Sequence, residues 1–253
     1  NDRTMGSMRA AVHASLAALL LASHVLAADP ECGKTMWQGD VAATGVYARA
    51  NAELLASGDE RPRIVLMGDS ITWHWAPQWL PHPEGVRLVN RGIAGQNSSQ
   101  MLLRFEDDVI ALAPAAVVIL AGTNDLRVDT GTLAEAAPAI LARIRRNITA
   151  MADIAEANGV KVILSGIPPI LPAMQGRRRD PQTLAAANRW LREFADQRGH
   201  AFADYGVLAD SHGFLREELT ADGLHPNPEA YLLMQPVLAA ALAKTGLSLR
   251  ASP

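Results

Sequence analysis

A chain of 253 residues, 49% hydrophobic and 19% charged, has the composition of one medium α/β domain with a sizeable core, which excludes intrinsic disorder. Its net charge of −3 gives no electrostatic reason to expect nucleic acid or an anionic membrane as partner. Cys32 is the single cysteine, so no disulfide can form within the chain.

In chain order, the N-terminus reads as a targeting segment. Met8-Arg9 supplies a positive start, and Ala14 to Leu21 is an apolar stretch too short to span a bilayer comfortably. Val25-Leu26-Ala27 has the small-residue character of a cleavage site. Residues 1–27 are therefore expected to be an upstream extension and signal peptide. Residues 28–253 would form the mature domain, secreted or periplasmic, with Cys32 inert near its start.

A first helix is expected from Tyr47 to Ala56. After it, apolar runs alternate with helix-period segments, the pattern of a parallel sheet with crossover helices. The expected strands are Arg63–Gly68, Arg87–Asn90, Ala116–Ala121, Lys161–Gly166 and Ala201–Asp204, nearly continuous in hydrophobicity, as strands covered on both faces should be.

Between the strands, Asn97 with Gln100 predicts a capped helix carrying Leu102, Phe105, Val109 and Leu112 on one face. A longer helix is expected after Pro138, with Ile140, Ile144, Ile148 and Met151 as its stripe and Asn158-Gly159 as its end. Asp180-Pro181 and Asn227-Pro228 each pair a cap with proline at the first helical position; Gly199 closes the former helix, and Pro236 is expected to kink the latter. The basic run Arg177-Arg178-Arg179 reads as solvated surface. No linker or internal repeat divides the domain.

Four clusters fall at strand ends: Gly68-Asp69-Ser70-Ile71, Gly92-Ile93-Ala94-Gly95, Gly122-Thr123-Asn124-Asp125, and Asp222-Gly223-Leu224-His225 ahead of the last helix. In an open parallel sheet, ligands bind outside the carboxyl ends of the strands, so the four can converge on one rim. No cluster is specific alone; four in this order are.

On these blocks the chain resembles the SGNH (GDSL-type) hydrolase family over the whole mature length. Its wording is most similar to the branch of platelet-activating-factor acetylhydrolase subunits and bacterial sugar-ester acetylesterases. The resemblance implies a three-layer α/β/α, flavodoxin-like fold with a five-stranded parallel sheet, and a serine esterase that needs no metal or other cofactor. It implies Ser70 as nucleophile, His225 as base and Asp222 as the carboxylate that orients it. The implied oxyanion donors are the backbone N–H groups of Ser70 and Gly95 and the side-chain amide of Asn124. Gly92 is the other candidate in its block, better explained by the turn leaving the strand. Asp69 and Asp125 are expected to hold loops through backbone N–H groups.

Around the site, Thr72-Trp73-His74-Trp75 is rich in aromatic residues for a chain with 5% of them. Trp73 and Trp75 are candidate walls for the acyl or alcohol group, against a reading as core packing, with His74 a bystander. Pro169, in Ile167-Pro168-Pro169-Ile170-Leu171-Pro172, is a further candidate wall, against a reading as loop stiffening. The expected substrate is a short-chain ester, acetyl above all and carried by a carbohydrate or other small molecule. Lysophospholipase, thioesterase and arylesterase activities are alternatives on the same scaffold. A metallophosphoesterase would need more metal ligands than the sequence offers, and a non-catalytic carbohydrate-binding protein would not need the full catalytic set.

Overall fold

The computed structural model describes residues 39–171 and 178–247, and the backbone of 250–251. The expected leader, Cys32, Pro172 and Arg177 lie outside these residues. Five parallel strands form the central sheet: β1 (Arg63–Gly68), β2 (Arg87–Gly92), β3 (Ala116–Leu120), β4 (Lys161–Ser165) and β5 (Ala201–Ala203). Their spatial order is β2-β1-β3-β4-β5. Each strand exists where the apolar runs predict it: β1 has the expected bounds, and the other four start as expected and end one or two residues away.

Helices cover both faces: α1 (Ala48–Ala56), α2 (Ser70–Trp73), α3 (Ser98–Leu103), α4 (Phe105–Asp108), α5 (Leu133–Ala157), α6 (Pro181–Arg198) and α7 (Pro228–Ala243). Side chains alternate along each strand, which divides the core in two. Val65 and Met67 of β1 and Val117 and Ile119 of β3 pack with Met101, Phe105, Ile144 and Met151. Ile64, Leu66, Val118 and Leu120 pack on the opposite face with Ile71, Tyr231, Met234 and Leu238. The result is a three-layer α/β/α sandwich.

Two helices differ from expectation. The helix capped by Asn97 forms with its capping box to Gln100, but it breaks at Arg104 (φ −103°, ψ 8°) and resumes as α4. The Arg104 side chain is 0% exposed, and at this break its guanidinium turns inward to Gln96, Asp108 and the Gly68 carbonyl. α5 begins at Leu133 rather than after Pro138, because Thr132 and Glu135 form a second capping box and the helix carries Pro138 within it. The helix starts at Asp180-Pro181 and Asn227-Pro228 form as read, each with its side-chain cap.

The order β2-β1-β3 places a topological switch point between β1 and β3, where the chain leaves for opposite sides of the sheet. The loops after β1, β2 and β3 carry the first three sequence clusters to this rim. Among the described residues, no helix is long and apolar enough to cross a membrane.

Candidate active site

Ser70 is the first residue of α2, directly after β1. Asp69 caps the helix by accepting the Ile71 N–H at 2.9 Å, which fixes the turn from strand to helix. The Tyr231 hydroxyl of α7 donates to the Ile71 carbonyl at 2.7 Å and holds the turn from the other face. Burial pushes Asp69 up to about 6 against the opposing effect of the Ile71 N–H. Gly92, at the end of β2, lies so close to this turn that a Cβ there would sit 2.2 Å from the Trp73 backbone nitrogen. Gly92→Ala should therefore displace α2 and lower kcat. Unchanged kinetics in that variant would contradict the packing described.

Ser70 Oγ lies 2.9 Å from His225 Nε2, across 155 residues of sequence. On the far side of the ring, His225 Nδ1 lies 2.6 Å from Asp222 Oδ2. A single turn makes this geometry, since Asp222 Oδ1 also accepts the backbone N–H groups of Leu224 (3.0 Å) and His225 (2.8 Å). The Thr220 hydroxyl donates to the His225 carbonyl at 2.9 Å and accepts the Gly223 N–H at 3.0 Å, closing the loop. An ionised Asp222 facing Nδ1 calls for the proton on that nitrogen and leaves the Nε2 lone pair for Ser70.

Partial burial alone would raise the Asp222 pKa. The N–H groups of His225 and Leu224 and the His225 ring outweigh it and hold the carboxyl at about 2. Because the folded value lies below the usual 3.8, the unfolded chain binds more protons between them. Asp222 thus stabilises the fold fully above about pH 4, and this contribution is lost as pH falls through about 2. The Tm advantage of the parent over Asp222→Asn should shrink toward pH 2 in thermal melts. A constant difference from pH 2 to pH 6 would contradict this assignment.

The loop after β2 brings Gly95 to the surface with φ +79°, a left-handed conformation that glycine adopts freely. Among the described residues, no acceptor takes the N–H of Gly95 or of Ser70. The Gly92 N–H, by contrast, is bound to Asn90 Oδ1 at 2.9 Å, which favours Gly95 over Gly92 as a donor to a ligand. Asn124, after β3, donates from Nδ2 to the Gln96 carbonyl at 3.0 Å and so ties its loop to that of Gly95. Asp125 accepts the Ser98 N–H (2.8 Å), the Ser98 hydroxyl (2.6 Å) and Arg143 Nε (3.0 Å), a loop-holding arrangement.

The structure narrows three of the sequence readings. Trp75 is 3% exposed, donates its indole N–H to the Trp79 carbonyl and packs against Tyr205 and Tyr231, so most of its ring lies in the core while it also lines the groove described below. Pro169 is buried, in a segment that braces the His225 loop from behind: Leu171 donates to the Gly223 carbonyl at 2.9 Å. The basic run is not all solvated surface. Arg178 is exposed, but Arg179 is 4% exposed and bonded to the Asn124 side chain. Arg179 was legible only as one arginine of three, and no local pattern distinguishes it.

Trp73 and His74 remain as the half-buried aromatic pair beside the His225 ring. The His74 ring meets the His225 ring edge-on at 5.7 Å, and partial burial, then the nearby His225, lowers its pKa. A groove of about 1320 Å³ opens at this pair and runs past Trp79 and Pro81 to Arg87. Among the described residues, no group of three His, Cys, Asp or Glu side chains is arranged to hold a metal ion.

The chain has known relatives. The sequence model of the GDSL-like lipase/acylhydrolase family matches residues 66–233, more than half of the chain. The chain is 33% identical to an esterase, TesA, of Pseudomonas aeruginosa over 175 residues, 68% of this chain and 79% of that protein. Over a short stretch of 46 residues it is 46% identical to an acetylxylan esterase of Geobacillus stearothermophilus, covering 18% of this chain and 21% of that one. The solved structure of a GDSL-like lipase from Bacteroides thetaiotaomicron superposes with a TM-score of 0.66 at 34% identity, over 80% of this chain and 98% of that one. With the family matched across the sheet and its rim, the chain belongs to the GDSL-like lipase/acylhydrolase family and is a carboxylic ester hydrolase.

Proposed function

We propose that the protein hydrolyses short-chain carboxylic esters, acetyl esters of carbohydrates above all, through an acyl-enzyme on Ser70. The observation that carries this reading is the continuous relay from Ser70 Oγ to His225 Nε2 (2.9 Å) and from His225 Nδ1 to Asp222 Oδ2 (2.6 Å).

In the first half-reaction, Ser70 Oγ forms a bond to the ester carbonyl carbon as its proton passes to His225 Nε2. The resulting imidazolium is stabilised by the Asp222 carboxylate. The oxyanion of the tetrahedral intermediate takes N–H groups from Ser70, Gly95 and Asn124. His225 then gives its proton to the alcohol oxygen as the ester C–O bond breaks. Water repeats the sequence on the acyl-enzyme, releasing the carboxylic acid and returning the proton to Ser70. Every group needed belongs to the chain, and no cofactor enters a step.

Two observations support the short-chain carbohydrate ester. One is the local likeness to an acetylxylan esterase; the other is the groove with Trp73 and Trp79, since aromatic faces suit sugar rings. A series of p-nitrophenyl esters alongside acetylated xylan tests this. The rate should be greatest at two to four acyl carbons, acetate should be released from the xylan, and EDTA should leave both rates unchanged. A rate peaking at eight carbons or more would instead favour a lysophospholipase or long-chain thioesterase. Loss of activity in EDTA would favour a metal-dependent phosphoesterase. Export of the enzyme fits an extracellular substrate. A mature N-terminus at Ala28 on sequencing is the expected result, and an uncleaved chain would contradict it.

A further inference from the structure

We propose that Arg179 is a positioning residue for the oxyanion site, acting by fixing the orientation of the Asn124 amide; this rests on the reading of Asn124 as an oxyanion donor. Arg179 Nη2 donates to Asn124 Oδ1 at 3.0 Å, and Arg179 Nε donates to the carbonyl of the adjacent Thr123 at 2.8 Å. The planar fork of the guanidinium thus grips the backbone of one residue and the side chain of the next.

An asparagine amide has one acceptor side and one donor side that are nearly equal in shape, so its neighbours decide which way it faces. Here Arg179 can only donate, and the Gln96 carbonyl on the other side can only accept. Only one orientation satisfies both. It commits one Nδ2 hydrogen to Gln96 and leaves the second for a ligand. Reversing the amide would set donor against donor and oxygen against oxygen. Because Arg179 is buried, its charge acts at low dielectric and polarises the amide, which makes the remaining N–H a better donor to a developing oxyanion.

The fold fixes Arg179 from both sides. Arg178–Arg179 pairs antiparallel with Arg127–Val128, in the register Arg127 opposite Arg179, immediately beyond the Asn124 turn. The next residue, Asp180, caps α6 through the N–H groups of Gln182 and Thr183. Such support suits a group that must hold an amide to within a fraction of an ångström. An arginine that merely secured the loop would not need to reach the Asn124 side chain, since its Nε bond to Thr123 already does so.

A double-mutant cycle on p-nitrophenyl acetate separates these roles. Arg179→Ala should lower kcat roughly 10- to 100-fold with little change in KM, as misplacement of a group acting in the transition state does. Asn124→Ala should lower kcat about 100- to 1,000-fold. In the Asn124→Ala background, adding Arg179→Ala should cost less than about a further threefold, because the group it positions is gone. Arg179→Lys, which keeps the charge and one donor, should recover part of the loss. An equal fold-loss from Arg179→Ala in both backgrounds would overturn the proposal while leaving Asn124 a donor. Full kcat in Asn124→Ala would overturn the donor reading itself, and the proposal with it. If Arg179→Ala does not fold, the cycle is run with Arg179→Lys, and the same comparison decides.

Discussion

Ser70→Ala is expected to lower kcat on p-nitrophenyl acetate by roughly 10⁴- to 10⁶-fold while leaving Tm within a few degrees of the parent. The size of the kinetic effect follows from the relay. Without Oγ there is no atom to carry the acyl group, and His225 and Asp222 have no proton transfer to perform. The small effect on stability follows from the local structure. Ser70 is 7% exposed, and its side chain makes one hydrogen bond in the structure, to His225. The α2 turn is held instead by Asp69, Tyr231 and the close approach of Gly92. One lost hydrogen bond at a site open to ligand is worth about 1 kcal/mol. A variant that keeps a tenth of the parent activity, with an unchanged pH profile, would contradict the assignment of Ser70.

The second large effect is on stability. Arg104 and Asp108 form an ion pair at 2.9 Å with both side chains 0% exposed, and Asn51 Nδ2 satisfies the other Asp108 oxygen at 2.8 Å. Removing one partner leaves a charge in the core. Asp108→Ala is therefore expected to cost about 3–5 kcal/mol, a fall in Tm on the order of 10 °C. The double variant Arg104→Met/Asp108→Leu removes both charges and should lose less than the sum of the single variants in chemical denaturation. Strict additivity would contradict the pair acting as a unit. The pair also bears on the site, because Arg104 donates to the Gly68 carbonyl before Ser70 and to the side chain of Gln96, whose carbonyl holds Asn124.

The parts of this molecule that were legible in its sequence share a physical cause. Strands covered on both faces must be continuously apolar, so Ile64-Val65-Leu66-Met67 and Ala116-Val117-Val118-Ile119-Leu120 announce themselves. Because parallel strands all end on one rim, motifs after successive strands converge, and Ser70, Gly95, Asn124 and His225 could be placed on that rim without knowing any distance. Caps such as Asp180-Pro181 are local chemistry and were read correctly. The Thr132-x-x-Glu135 box was equally local, but Pro138 drew the expected start of α5 too far along the chain.

What was not legible depends on contacts between segments distant in sequence. Arg104 occupies the middle of an amphipathic pattern that reads as one continuous helix, and nothing local says that its guanidinium will turn inward to meet Gly68 and Gln96. Arg179 looks like its neighbours until Arg127 pairs with it in a separate two-stranded sheet. Trp75 and Trp73 are two residues apart in an aromatic run, and how deeply each is buried depends on where Tyr205, just after β5, and Tyr231 of α7 arrive. In the aromatic run the backbone element was readable and the destination of the side chains was not; at Arg104 and Arg179 the helix break and the short strand pairing were hidden as well.

The central claim is that Ser70 is the nucleophile of an acyl-transfer cycle with His225 as its base. An organophosphorus fluoridate such as diisopropyl fluorophosphate tests it directly, because the serine oxygen displaces fluoride and keeps the phosphoryl group. Peptide mass mapping of the inactivated enzyme should find one phosphoryl group per chain, on the peptide containing Ser70, in step with the loss of esterase activity. Labelling should be much slower in His225→Ala. Complete inactivation with the label on another residue, or full activity with Ser70 labelled, would contradict the account.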